Sequence, residues 1–179
     1  MTQAAIEELL AKQEITELLY RYCRGIDRLD WDLVRSCYHD DAYDDHSIFR
    51  GSPDEFVAFF REFLTPMTGT THTIANILIT VDGDVAGSES HILAWHGLPA
   101  EGDGPAKDLT ASGRYVDRLE RRNGEWKIAH RIVVFEWTRI EPVGGQFEVG
   151  ADVDMVWSRR DRDDPSYAAL EHRAVTGAH

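Results

Sequence analysis

The spacing of apolar residues changes once along this chain, and that change restricts the folds open to it. Before about residue 65, apolar side chains recur at every third or fourth position, as on one face of a helix. After about residue 70 they alternate with polar side chains, as in a strand with one buried face. Helices followed by long strands predict an α+β fold. We expect a strongly curved mixed or antiparallel sheet, rolled into a cone-shaped α+β barrel, with three N-terminal helices enclosing a pocket.

The helical half of the sequence predicts three helices. The first spans residues 4–26, and Gly25 near its end is expected to release the chain, as glycine commonly does at a helix terminus. The second is short and has Asp30 as its N-cap. The third begins at Pro53, a residue well suited to a first helical turn. Between the second and third helices, residues 40–51 predict a short strand.

The alternating half predicts four long strands, at residues 71–83, 85–97, 109–124 and 125–140. Two of the connections, Asp82-Gly83-Asp84 and Asn123-Gly124, carry strong hairpin signals. We therefore expect one domain at residues 1–140 and a C-terminal extension at residues 141–179. The extension is polar and loses its periodicity, so it is either partly disordered or packed against a neighbouring subunit.

The charge of the chain disfavours several classes of partner. The 179 residues hold 19 Lys+Arg and 32 Asp+Glu, which gives a formal net charge of −13. We expect neither nucleic acid nor an anionic membrane as partner, because phosphate contacts need clustered basic side chains. The N-terminal stretch lacks the apolar run of a secretory signal, and no later segment is long enough to span a bilayer. Together with two cysteines, which suit a reducing compartment, this predicts a cytoplasmic protein.

Two polar residues stand where burial is expected. Asp27 follows the apolar stripe of the first helix, and His72 lies near the start of the first long strand. A carboxylate hydrogen-bonded to one imidazole nitrogen fixes the tautomer and raises the basicity of the ring, which makes the other nitrogen a competent general base. The residues alone leave an alternative open, in which Asp27 is a helix-end turn residue and His72 an ordinary strand-end histidine.

Three further side chains are candidates for contact with a bound molecule. Tyr22 lies on the apolar face of the first helix, where its hydroxyl could donate to a developing oxyanion, although such a tyrosine more often packs. Tyr115 lies on the same strand face as apolar neighbours and could line a pocket. Arg131 alternates with apolar residues, so its guanidinium must either face substrate or be paired, with Asp44 or Glu136 as possible partners.

Strand register decides the remaining candidates. In the short strand one face carries Asp44 and His46 and the other carries Asp45, and we favour His46 as the residue that borders the cavity. Asp45 borders it instead if the other face looks inward. On the second long strand, His91 and His96 point to opposite faces because of their odd spacing, so at most one of them reaches the interior.

Several stretches of the chain resemble the SnoaL-like branch of the nuclear transport factor 2-like superfamily. They are RYCRGIDRLDWDLVRSCYHDDAYDDHSIFRG, THTIANILITVDGD and GRYVDRLERRNGEWKIAHRIVVFEW, and the resemblance covers roughly residues 5–140. Within that branch the sequence looks like scytalone dehydratase, bile acid 7α-dehydratase and hexachlorocyclohexane dehydrochlorinase, which are cofactor-free lyases. The resemblance implies a catalytic pair in which His72 takes a proton from carbon while Asp27 steadies the imidazolium.

Other correspondences with these relatives are partial. Tyr22 matches the position of the oxyanion tyrosine in ketosteroid isomerase, a remoter relative, whose catalytic aspartate would fall at Asp45 or His46. Scytalone dehydratase has a tyrosine close to that position, so His46 departs from its pattern. Arg131 is similar in place to an arginine of the dehydrochlorinase. The second histidine of scytalone dehydratase either corresponds to His96 or has no counterpart.

The resemblance implies a lyase that acts on a hydrophobic aromatic or polycyclic oxygenated molecule, with loss of water or of another small group such as formaldehyde. The alternatives are an isomerase or polyketide cyclase using the same base, and a non-catalytic small subunit or ligand-binding module. The resemblance implies that the reaction needs no cofactor. We expect no metal, because no Cys/His grouping has zinc-site spacing and no second paired motif completes a coordination shell with the cluster of Asp44, Asp45 and His46. Relatives usually pair through exposed sheet faces, so a homo-oligomer, a trimer or a dimer, is expected.

Overall fold

The helices and strands follow one another largely in the predicted order. The computed structural model describes residues 2–144 and 155–175. Its helices are α1 (Gln3–Asp27), α2 (Trp31–Ser36), α3 (Pro53–Leu64) and α4 (Pro165–Leu170). Its strands are β1 (Tyr38–Asp45), β2 (Arg50–Gly51), β3 (Gly69–Asp82), β4 (Val85–Leu98), β5 (Lys107–Arg122) and β6 (Glu125–Pro142). The single short strand predicted at residues 40–51 is therefore a hairpin of β1 and β2, and Ser47 in its turn has a φ of 63°.

The six strands form a mixed sheet in the order β2-β1-β6-β5-β4-β3. β1 runs parallel to β6, and the other neighbouring pairs run antiparallel. Register shifts interrupt the pairing of β3 with β4 between Ala75 and Leu78 and the pairing of β5 with β6 between Ser112 and Gly113, and bulges of this kind bend and twist a sheet. The sheet is curved but unclosed. The predicted α+β class is confirmed, with β1 and β2 inserted between the second and third helices.

The core lies between the concave side of the sheet and the helices. α1 turns an apolar face inward, on which Ile15, Leu18 and Leu19 are almost completely buried. Phe56 from α3 and Ile128 from β6 are equally inaccessible to water. Burial of each such side chain contributes about 1.5–3 kcal/mol. The helices are therefore held to the sheet mainly by apolar contacts, and the space that they leave unfilled is the cavity described below.

Gly25 lies inside α1 rather than at its end, so the predicted release point is wrong. α1 continues to Asp27, and Leu29 is the residue with left-handed backbone, at a φ of 53°. A Cβ on Gly25 would lie 2.7 Å from Cγ2 of Val34, which belongs to α2. The glycine is therefore required for the close approach of α2 to α1, not for reversal of the chain.

We expect Gly25→Ala to lower the free energy of unfolding by about 1–2 kcal/mol. The added methyl group would overlap Val34, which is fully buried, and overpacking of this kind costs about 1–3 kcal/mol. The better helix propensity of alanine offsets up to about 1 kcal/mol of that cost. Urea unfolding followed by circular dichroism measures the change. Gly144→Ala is the matched control, because a Cβ there meets nothing within 4 Å. Equal free energies of unfolding for the two variants would show that α2 can move away from the added methyl group without loss of stability.

The described part of the C-terminal extension packs on its own chain. Arg160 donates hydrogen bonds to the carbonyl oxygens of Leu64 and Met67, at and just beyond the end of α3. The ring of Tyr167, in α4, lies under the guanidinium of Arg24 at 4.5 Å. α4 is absent from the prediction, although Asp164 as its N-cap and Pro165 in its first turn are local signals for the start of a helix.

The rest of the extension, at residues 145–154 and 176–179, lies outside the described residues, and so do the predictions made for it. Within residues 2–144 and 155–175, no helix is both long enough and apolar enough to cross a membrane. Packing of the extension on a neighbouring subunit stays a prediction.

Candidate active site

A cavity of about 370 Å³ lies between α1, α3 and the concave face of the sheet. Most of its lining is apolar, and six of the larger side chains are Ile26, Phe56, Phe60, Phe63, Leu64 and Phe135. Polar rings interrupt this lining at Tyr22, His46, His72, His96 and Tyr115. The volume falls within the range of small-molecule sites, and a few polar groups in an apolar cavity are typical of an active site or a ligand pocket.

Asp27 and His72, the first pair of candidates, meet at one wall of this cavity. Asp27 ends α1, and His72 lies near the start of β3. Oδ1 of Asp27 lies 2.7 Å from Nδ1 of His72, and Oδ2 accepts the backbone N–H of His72 at 2.9 Å. Because a carboxylate only accepts hydrogen bonds, Nδ1 carries the proton and Nε2 is the nitrogen available to a bound molecule. The carboxylate thus orients both the strand and the ring, whose side chain is 9% exposed.

A second carboxylate–imidazole pair lies at the end of β1. Oδ1 of Asp44 accepts a hydrogen bond from Nδ1 of His46, and Oδ2 accepts one from the hydroxyl of Tyr38 at 2.7 Å. Asp44 is 0% exposed, and the ring of His46 lines the cavity. The inward face of β1 is therefore the one favoured from the sequence. The bond from Tyr38 carries no signal in the sequence, because it depends on the fold of the strand against α1 and α3.

Asp45 lies on the outer face of β1, so its candidate role in substrate binding is wrong. Its carboxylate accepts hydrogen bonds from the guanidinium of Arg50 and from the backbone N–H of Ser47, both at 2.8 Å. These contacts lower the pKa of Asp45, with the Arg50 bond as the larger cause. Successive side chains in a strand point to opposite faces, so Asp45 is directed away from the cavity by the register that brings Asp44 inward.

Arg131 is buried behind the cavity wall and does not line the cavity, so its predicted contact with substrate is wrong. Its Nε and Nη2 each donate to a carboxylate oxygen of Asp117 at 2.7 Å, and both side chains are 0% exposed. The guanidinium carbon lies 4.2 Å from the ring centroid of Tyr22 and 4.1 Å from that of Tyr115. Cation–π contact therefore makes Arg131 a support for these two rings.

The sequence alternatives for this ion pair, Asp44 and Glu136, are also wrong, since the partner of Arg131 is Asp117. Counting outward from the Asn123-Gly124 turn brings Asp117 and Arg131 close to opposite positions, and a register shift between β5 and β6 aligns them as neighbours across the two strands. The turn therefore indicates the approximate pairing of Asp117 and Arg131, and their exact alignment depends on the register shift.

Tyr22 and Tyr115 both line the cavity, as predicted. Their rings stand edge to face with centroids 5.6 Å apart. Burial raises the pKa of both phenols, so each hydroxyl keeps its proton and can donate a hydrogen bond. The oxygen of Tyr22 lies 3.5 Å from Nε2 of His46, at the outer limit of a hydrogen bond.

His96 lines the cavity beside His72, and the two rings meet edge to face with centroids 5.3 Å apart. Burial, together with the nearby His72 ring, lowers the pKa of His96 to about 4. Its imidazole is therefore neutral at pH 7, where it can orient a bound molecule. His91 is not among the cavity-lining residues, in agreement with the predicted alternation.

The burial of His96 makes the stability of the fold depend on pH. The pKa of a histidine is about 6.5 in an unfolded chain, and that of His96 is lowered to about 4. Between these values the unfolded state binds more protons, so the free energy of unfolding falls as pH falls through this window, by about 2–3 kcal/mol. Urea unfolding near pH 7 and pH 4 measures this loss. His96→Gln should reduce it and His91→Gln should not; the same loss in all three proteins would contradict this assignment.

Within the part of the chain that the structure describes, no three His, Cys, Asp or Glu side chains cluster as a metal site would require.

Residues 7–132 match the SnoaL-like domain. The chain belongs to the SnoaL-like family. An uncharacterised protein of Mycobacterium tuberculosis is 25% identical to this chain over 132 residues, which is 72% of this chain and 87% of that protein.

Solved structures share the SnoaL-like fold. A crystal structure from Novosphingobium aromaticivorans, named as a candidate scytalone dehydratase, has a TM-score of 0.66 and 22% identity and covers 81% of this chain and 97% of that chain. A hexachlorocyclohexane dehydrochlorinase has a TM-score of 0.65 and 20% identity, with the same coverage of 81% and 97%. The resemblance expected from the sequence is confirmed. The SnoaL-like match ends at residue 132, so the C-terminal extension lies outside it.

Proposed function

We propose that this SnoaL-like protein is a cofactor-independent lyase in which His72 is the general base. The observation that carries the proposal is the pair of hydrogen bonds by which Asp27 accepts both the backbone N–H and the ring Nδ1 of His72, at the wall of an apolar cavity. An imidazole held in this way presents one defined acceptor nitrogen. The adjacent carboxylate stabilises the imidazolium that forms when that nitrogen takes a proton.

In the proposed reaction, Nε2 of His72 removes a proton from a carbon beside a carbonyl group or an aromatic ring. The electron pair of the broken C–H bond forms a C=C double bond as the C–O bond on the neighbouring carbon breaks. The leaving hydroxyl takes up a proton from solvent or from an acidic side chain and departs as water. The hydroxyls of Tyr22 and Tyr115 can donate to the carbonyl oxygen, where negative charge develops. The proton held by His72 then returns to solvent.

The proposed substrate is a hydrophobic aromatic or polycyclic oxygenated molecule. The cavity walls are mainly aromatic and aliphatic, and a net charge of −13 disfavours a strongly anionic substrate. Two structural neighbours are named as a dehydratase and a dehydrochlorinase, and both names denote an elimination reaction. These names support elimination as the reaction class for this chain.

Two other functions use the same cavity. An isomerase or polyketide cyclase would take a proton with the same base and expel no group, and C–C cleavage with loss of formaldehyde would begin at a hydroxyl proton instead. A non-catalytic subunit or ligand-binding module would use the cavity for binding alone. The oriented Asp27–His72 pair favours an enzyme over a module, because binding of an apolar ligand does not require an acid–base group.

Turnover of a β-hydroxytetralone tests the lyase proposal. Loss of water from this bicyclic ketone yields a naphthol, which is recognised by its ultraviolet spectrum and by a mass lower by one water. A product of unchanged mass would favour an isomerase or cyclase, and release of formaldehyde from a hydroxymethyl analogue would favour C–C cleavage. Recovery of every ketone unchanged, although each binds, would overturn the lyase proposal in favour of a binding module.

We also propose that the chain forms a homo-oligomer, a dimer or a trimer, through the convex face of the sheet. Apolar side chains that are 37–48% exposed lie there on three adjacent strands, namely Leu93, Trp95, Val116, Ile132 and Trp137. Light scattering should give a mass at least twice 20.3 kDa. Ile132→Lys should lower that mass, because Ile132 lies opposite Val116 within this face. A wild-type mass of one chain at micromolar concentration would contradict the proposal.

A further inference from the structure

The Asp44–His46 pair is a second acid–base unit on the cavity wall that the mechanism above does not use. Asp44 is 0% exposed, and its hydrogen-bond partners among the described residues are the hydroxyl of Tyr38 and Nδ1 of His46. A carboxylate this far from water needs a compensating positive charge. The buried guanidinium of Arg131 is already bound in bidentate fashion by Asp117. An imidazole of His46 that carries a second proton is therefore the group best placed to offset the charge of Asp44.

The Asp27–His72 pair has different surroundings. Asp27 also accepts the backbone N–H of His72, and it borders an outer groove of about 510 Å³ that includes Arg24 and Arg28. The backbone N–H of His72 and the solvent in this groove thus share in stabilising the carboxylate of Asp27, whose side chain is 13% exposed, whereas Asp44 is 0% exposed. Two carboxylate–imidazole pairs in such unlike surroundings are suited to opposite roles, one as base and one as acid.

The ring of His46 is held in place by apolar packing. It lies against Phe56 and Phe60 of α3, with centroid distances of 5.1 and 5.2 Å. Nε2 of His46 lies 3.5 Å from the phenol oxygen of Tyr22, so the contact between them is weak. An oxygen atom of a bound molecule can therefore take the place of the phenol as the hydrogen-bond partner of Nε2. The titratable and charged groups around this ring come from α1, β1, β5 and β6 and are Tyr22, Tyr38, Asp44, Tyr115, Asp117 and Arg131.

We propose that His46 is a further catalytic residue of this site, the general acid that protonates the leaving oxygen. The inference rests on the lyase function proposed above. While His72 takes the proton from carbon and the C–H electron pair forms the C=C bond, the C–O bond breaks. The electron pair of that bond takes the proton from Nε2 of His46, so that water departs. One proton has then moved onto His72 and one has left His46, and exchange with solvent restores both.

A change of leaving group tests this role. Departure of hydroxyl from a β-hydroxytetralone requires a proton, whereas departure of chloride from its β-chloro counterpart does not. We expect His46→Gln to lower kcat for the hydroxy ketone by about 10²-fold or more, the usual contribution of a general acid, and to leave kcat for the chloro ketone within about threefold of wild type. His72→Ala should lower both rates, because both reactions begin at carbon. Spontaneous elimination in buffer is subtracted.

His130→Gln is the matched control. His130 packs against Tyr43 on the outer face of the sheet, 5.6 Å between ring centroids, so this variant should retain both rates. Melting temperatures verify that each variant is folded. Equal losses for the two ketones in His46→Gln would overturn proton donation by His46, and so would a full rate with the hydroxy ketone.

Failure of the lyase proposal would be visible separately. If the wild-type protein turns over neither ketone, that proposal fails for this substrate class, and calorimetric titration with the naphthol then decides the role of His46. Affinity weaker by about tenfold or more in His46→Gln, with no change in His130→Gln, would support direct contact between His46 and the ligand oxygen. Unchanged affinity for the naphthol in both variants would show that His46 does not contact the ligand.

Discussion

Replacement of His72 by alanine is expected to lower kcat for dehydration of a β-hydroxytetralone by about 10³-fold or more. The substitution removes the nitrogen that accepts the carbon-bound proton, and a positioned general base contributes about 10²- to 10⁴-fold. Asp27→Asn should lower kcat by about 10²-fold or more, since a neutral amide cannot stabilise the imidazolium and can hold the ring in the wrong tautomer. Formation of the naphthol, followed by ultraviolet absorbance, measures both effects.

Both variants should melt within a few degrees of the wild-type protein, because the pair lies between the cavity and the outer groove and not in the packed core. His91→Ala is the control for loss of a histidine from the sheet, and its kcat should be unchanged. A folded His72→Ala variant with a kcat within about tenfold of wild type would remove His72 from the proposed mechanism.

Arg131→Met is expected to lower the free energy of unfolding by about 3–5 kcal/mol. The substitution leaves the carboxylate of Asp117, which is 0% exposed, without its counter-charge. It also removes the cation that lies between the rings of Tyr22 and Tyr115. Urea unfolding followed by circular dichroism measures the loss, which should exceed that of any surface substitution in the chain.

The double variant Arg131→Met with Asp117→Leu separates charge from packing. With both charges removed, no uncompensated ion stays buried, so we expect the double variant to be more stable than either single variant. The exposed pair of Arg50 and Asp45 provides the control, and Arg50→Met should lower the free energy of unfolding far less than Arg131→Met, because water screens this pair. If the two single losses simply add in the double variant, packing rather than charge explains the effect.

Local rules explain why the sequence predicts the order of helices and strands so well. Asp30 caps α2 and Pro53 opens α3 as predicted, because each acts on its immediate neighbours in the chain. The prediction for Gly25 is wrong because the role of this glycine depends on a residue of another helix, Val34, and not on its neighbours in the chain. α4 is not predicted, although it has as many residues as α2; α2 turns two apolar side chains into the core, whereas α4 buries only Tyr167 and shows no apolar face.

The site is predictable to the extent that it depends on sequence position alone. Asp27 and His72 could be paired in advance, because the end of a helix and the start of a strand are recognisable in the sequence and in the resemblance to relatives. The inward face of β1 and the partner of Arg131 depend on register, and a shift of one residue exchanges the two faces of a strand. The register shift that aligns Asp117 with Arg131 has no evident signal in the sequence.

The phenylalanine-rich helix α3 supplies apolar cavity wall but none of the groups that the proposed mechanism uses to transfer protons. Phe63 lines the cavity and is 41% exposed, which places it at the mouth, while the imidazoles of His46 and His72 come from other elements. A library of substitutions at Phe63 is therefore a means to widen or narrow the range of molecules admitted. Selection from this library could change the substrate selectivity of the protein while His46 and His72 keep their native geometry.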